Sequence, residues 1–133
     1  MKRFILSVAI LGLCATMNFT NAQSVNAKAD KIPFSVEIAR LSSYLDLSPN
    51  QHDRVYDINN YFVQLQQSVL SDDDASRQKD KLQRAVDANL KMMRETLNDG
   101  QYEKYVALLQ LTNSNNRKIG SIALDEVYLA ENN

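Results

Sequence analysis

Val55, Ile58, Phe62, Leu65 and Val69 advance by 3, 4, 3 and 4 residues. Such spacing puts a two-heptad apolar stripe on one face of an α-helix and commits this part of the chain to packing that face against something. A start signal precedes the stripe. Ser48 can accept an orphan amide hydrogen of the first turn, and Pro49 fits the first helical position, where no donor is needed. Gln51 stands three residues after Ser48, the spacing of a capping box. A helix is therefore expected from Pro49 to near Ser71, with Asp53, Arg54, Asp57, Asn60, Gln64 and Gln67 on its remaining faces.

The same reading extends in both directions. Ser71-Asp72-Asp73-Asp74 is a polar turn whose aspartates suit the N-terminus of a following helix. That helix is expected over 74–97, with Leu82, Ala85 or Val86, Leu90, Met93 and Leu97 inward. Its outer surface, with Arg77, Lys79, Lys81, Arg84, Lys91 and Arg94, is basic. Two helices of this length, about 33 Å each, joined by so short a turn form an antiparallel hairpin. An earlier helix is expected over 33–46, starting at Pro33 and marked by Val36, Ile38, Leu41, Tyr44 and Leu45. A later one starts at Asn98, continues through Tyr105, Leu108, Leu109 and Thr112, and ends or frays at Asn113-Ser114-Asn115-Asn116. The tail over 119–133, with Ile122, Leu124, Val127, Tyr128 and Leu129, is apolar enough to dock on the bundle or on a partner. The expected fold is all-α: an antiparallel helical hairpin extended to about four helices, a small bundle or cradle over 32–118.

The N-terminus has a different character. Lys2 and Arg3 precede an apolar run from Phe4 to Leu13, and Thr20-Asn21-Ala22 offers a small-residue cleavage site before Gln23. This is the order of a secretory signal peptide over 1–22, followed by a flexible segment over 23–31. The run is too short for a membrane span, which needs about twenty apolar residues. A retained anchor and a lipoprotein at Cys14 are the alternatives; bulky Leu13 before Cys14 argues against the second. Loss of the leader leaves thirteen basic against sixteen acidic residues and no cysteine. Periplasmic or secreted location is thus expected, without a disulfide framework. The mildly acidic balance, with no basic cluster, argues against nucleic acid as a partner.

Leu47-Ser48-Pro49-Asn50-Gln51 and Leu97-Asn98-Asp99-Gly100-Gln101 share one pattern at a 50-residue offset: Leu, a cap, two turn-prone residues, Gln. Each Leu can pack on the first turns of its helix, Leu97 toward Tyr102, while Leu47 faces His52 at the corresponding place. Paired segments of this kind resemble the Leu-Thr-x-x-Gln motifs of the Spy/CpxP-like family of periplasmic helical proteins, over roughly residues 34–113. The resemblance implies curved dimers of antiparallel helices that act as ATP-independent chaperones for envelope proteins or damp stress signalling. Ser48 and Asn98 stand where that family has threonine, the processed chain is acidic where chaperone members are basic, and His52 is its single histidine where metal-associated members have many.

Catalytic constellations are missing from the sequence. His52 alone, with neighbouring Asp53 or Asp57 and no thiol, makes a poor metal site. Asp72-Asp73-Asp74 lacks the glycine and terminal glutamate of a calcium loop. No glycine-rich phosphate loop or serine–histidine motif occurs, and no cofactor is implied. The aromatic set Tyr44, Tyr56, Tyr61, Phe62, Tyr102 and Tyr105, with Met92 and Met93, forms the core and its rim, an adaptable groove for partner segments, or a homodimer interface. Tyr56, Tyr61, Met92 and Tyr102 are the candidate partner surface. The expected function is an exported, non-enzymatic protein-binding helical domain; the alternative is a structural or regulatory subunit docking to one dedicated envelope partner.

Overall fold

Ser48 and Asn98 each turn extended chain into a long helix, and the fold follows from those two corners. In the computed structural model, residues 32–125 and Val127 are described. The expectations for the leader, Cys14, the 23–31 segment, Tyr128 and Leu129 lie outside the described residues. The chain is all-α. Helix α1 spans Ile38–Leu45, α2 Pro49–Leu70, α3 Ala75–Thr96 and α4 Asp99–Lys118, and no strand occurs among the described residues.

The hairpin of α2 and α3 is the most extensive helix pair. Val55, Ile58, Phe62 and Val69 from α2 and Leu82, Ala85, Val86, Leu90 and Met93 from α3 are buried in one core cluster. Leu65 is only half-buried; Gln66, next to it, takes the inward place. The α3 start is fixed by Asp74, whose carboxylate accepts the amide hydrogens of Ser76 and Arg77. Tyr105, Val106 and Leu109 of α4 and Leu41 and Leu45 of α1 complete the core.

Two expected boundaries are corrected. The first helix begins at Ile38, not at Pro33. Residues 32–37 form a turn and an extended stretch because Gln66 grips the main chain of Phe34: its Oε1 accepts the Phe34 amide at 2.8 Å and its Nε2 donates to the Phe34 carbonyl at 3.3 Å. Phe34 then stacks on Phe62 with ring centroids 6.3 Å apart. The last helix does not stop at 113–116. Asn113 and Asn116 lie on its inner face, one turn apart, and the helix runs on to Lys118. It closes in a Schellman turn with Gly120 left-handed, where the Ser121 amide donates to Asn116 O and the Gly120 amide to Arg117 O.

Helix α1 ends by the same motif with a less suitable residue. Asp46 adopts φ 53°, and the amides of Leu47 and Asp46 reach back to Ser42 O and Ser43 O. Among the described residues no helix is long and apolar enough to cross a membrane.

Candidate binding surfaces and the amide network

The two repeated segments meet in space. Ser48 Oγ and Asn98 Oδ1 each accept the amide hydrogen of the glutamine three residues on, at 3.3 and 2.8 Å. Each glutamine Oε1 accepts its own cap's amide, both at 3.0 Å, so both capping boxes are complete. The two carboxamides also pair head to tail. Gln51 Nε2 donates to Gln101 Oε1 at 2.8 Å, and Gln101 Nε2 to Gln51 Oε1 at 3.0 Å. Their second amide hydrogens cross over. Gln51 reaches Thr96 O, the last residue of α3, and Gln101 reaches Leu45 O and Asp46 O at the end of α1. Every donor and lone pair of both side chains is thereby used. Orphan groups at two helix N-termini and two helix C-termini are satisfied by one amide pair. Leu97 is buried, and Leu47 is half-buried against the same core.

Farther along α2 and α4, amide side chains hold main chain that is not helical. Gln66 holds Phe34; Asn116 Nδ2 donates to Pro33 O at 2.8 Å, and Asn59 Nδ2 to Val36 O at 3.2 Å. No Cα atoms of α2 and α4 lie within 8 Å of each other, and the stretch around Pro33 and Phe34 is tied to both helices. Asn113 holds Leu124 by both its N–H and its C=O, at 2.8 and 2.9 Å.

The candidate partner residues do not form one surface. Tyr56 and Tyr61 are about half exposed, at 47% and 48%. Met92 is half-buried against the core. Tyr102 corrects the expectation: it is buried, with the Arg94 guanidinium 5.5 Å from its ring centroid. Its position five residues after Leu97, at the first turn of α4, directs it into the core rather than out of it. Phe62, Met93 and Tyr105 are buried too. Tyr105 donates its hydroxyl to Asn89 Oδ1 at 2.5 Å, and burial pushes its phenol well above the usual range. Tyr44 is exposed and donates to Lys104 O.

Beside Tyr61 an open groove of about 260 Å³ runs between α2 and α3. Leu65, Val69, Ala85 and Ala88 supply its apolar lining; Lys81 and Arg84 stand on the α3 side. Lys81 also bonds Asp72, at the turn between the two helices. Asp72 accepts from Lys81 Nζ at 2.6 Å, from the Asp74 amide, and from Arg77 Nε and Nη2. The Lys81 bond first, then the Asp74 amide and Arg77, hold this carboxyl well below the ordinary carboxylate range.

Among the described residues no three His, Cys, Asp or Glu side chains come together as metal ligands. His52 is half-exposed, 3.8 Å from Asp53. No protein family, characterised protein or solved structure was found to match the chain.

Proposed function

We propose that this chain is an exported, non-enzymatic helical protein that shields or senses segments of other envelope proteins, as a divergent Spy/CpxP-like protein. The observation that carries the reading is the α2–α3 groove. It has an apolar lining, an exposed aromatic rim at Tyr61 with Tyr56 on the same helix, and cations on one side. Such a surface suits an amphipathic or unfolded segment, which offers apolar side chains to the lining and a carboxylate to Arg84, Lys81 being paired with Asp72. The paired Leu-cap-x-x-Gln segments and the leader-like N-terminus support the family and the compartment.

The test is suppression of aggregation of several unrelated unfolded proteins at near-stoichiometric ratios. Tyr56→Ser with Tyr61→Ser should keep the helical circular dichroism and lose the suppression. The small size of the groove, about 260 Å³, favours a second reading, in which it takes one short segment of a dedicated partner. Absence of suppression for every client would select that reading.

A further inference from the structure

Residues 121–125 behave toward the bundle as a bound peptide. Leu124 donates its amide to Asn113 Oδ1, and its carbonyl accepts from Asn113 Nδ2 and from the Arg117 guanidinium at 2.7 Å. The Asp125 carbonyl accepts from Arg117 as well, at 2.9 Å. The Leu124 side chain is buried in the core, while the Asp125 carboxylate meets Lys79 Nζ at 2.8 Å. The Asn113 amide therefore imitates a neighbouring strand, a mode that grips any extended main chain. The apolar socket and Lys79 then select what that chain carries.

None of these contacts requires covalent continuity with α4. The connection passes through left-handed Gly120, at which an added Cβ would meet nothing within 4 Å. The Lys79–Asp125 pair is exposed on both sides, so it adds only modestly to holding the tail and to choosing among ligands, and buried Leu124 carries most of both. An open recess of about 300 Å³ adjoins the tail, lined by Gln110, Asn113, Ser114, Arg117, Asp125 and Val127. Asn113 itself is buried and both of its amide groups are taken by Leu124, so a competing segment gains the site only as the tail leaves it.

We propose that Asn113, Arg117 and Lys79 form a receptor for an extended segment of a partner protein, one carrying an apolar residue followed by Asp or Glu. Leu124–Asp125 is its resident ligand, which the partner displaces. A tether this short gives the tail an effective concentration of about millimolar, so free peptide binds wild type weakly and binds a chain with a loosened tail well. The site is separate from the Tyr61 groove, and its test leaves the aggregation assay untouched.

The experiment uses a dye-labelled peptide, Ser-Ile-Ala-Leu-Asp-Glu-Val, copied from 121–127, and the full chain, with anisotropy as readout. Asp125→Lys, whose tail is repelled by Lys79 and Arg117, should bind it about two- to fivefold more tightly than wild type, the scale of an exposed ion pair. A peptide with Ala for the leucine should not bind, and one with Lys for the aspartate should bind several-fold more weakly. An Asp125→Lys chain of unchanged helicity that binds no better than wild type overturns the proposal; so does equal binding of all three peptides. Should Asp125→Lys lose helicity, wild type decides. Saturating peptide must accelerate hydrogen exchange at the Leu124 amide, and an unchanged rate overturns the proposal. A wild-type dimer that Asp125→Lys converts to monomer in sedimentation would make a second copy the occupant and overturn the assignment to a foreign partner.

Discussion

Gln51 and Gln101 donate to each other across the start of the two long helices that carry them. Their capping roles are local and would be met by glutamate as well as by glutamine. Their mutual pairing, and their reach to Thr96 O and to Leu45 and Asp46 O, need an N–H₂ group. One side chain thus joins the start of its own helix to the end of the helix before the other copy of the motif.

Gln51→Glu separates these roles. It retains an acceptor for the Ser48 amide and loses every donor, placing a carboxylate against Gln101 Oε1 and Thr96 O. A loss of about 1–3 kcal/mol is expected in urea unfolding. In a double-mutant cycle with Gln101→Ala, the two losses should fall short of additive by at least about 0.5 kcal/mol. Full additivity would mean the amides cap independently.

Asp46 occupies a left-handed position that favours glycine, although its carbonyl is held by Gln101. Asp46→Gly should raise stability by about 0.5–1 kcal/mol, read as a higher melting temperature with unchanged helicity.

The Asp72 cluster gives a pH signature. Its folded pKa is depressed, through Lys81, the Asp74 amide and Arg77. The stabilisation is therefore complete above the unfolded value of about 3.9 and lost as pH falls through the lower folded value. Asp72→Asn should melt earlier than wild type at pH 7, and the gap should shrink below pH ~4. A gap independent of pH from neutrality to acid would remove the carboxylate from the explanation.

Gln66→Leu has a nearly conserved volume and leaves the Phe34 N–H and C=O without their buried partner. The cost should be about 2–4 kcal/mol, the desolvation of unpaired groups rather than lost packing. Hydrogen exchange should speed up first at Phe34. Protection at Phe34 equal to wild type would show that its main chain is held by other groups.

The helices were legible in the sequence where apolar stripes and caps agreed. Val55 to Val69, Leu82 to Leu97 and the starts at Ser48, Asp74 and Asn98 needed only local periodicity and first-turn chemistry. Asn59, Gln66, Asn113 and Asn116 were not legible. A polar residue at an inward helical position reads as a gap in the stripe, and its partner is main chain up to 83 residues away, which leaves no sequence pattern. The same limit explains Tyr102 and Tyr61. Both are tyrosines on helices, and only the packing of neighbouring elements makes one core and the other rim. The Gln51–Gln101 pairing was half legible: the repeat showed, but the meeting of its two copies did not.

Binding of unfolded segments in the α2–α3 groove is tested most directly by methyl NMR during titration with an unfolded client protein. Signals of Leu65, Val69, Ala85 and Ala88 should shift together and saturate, while Leu111, exposed on α4, stays in place. Shifts confined to Leu111 and other sites outside the groove, or no shifts at all, would contradict it.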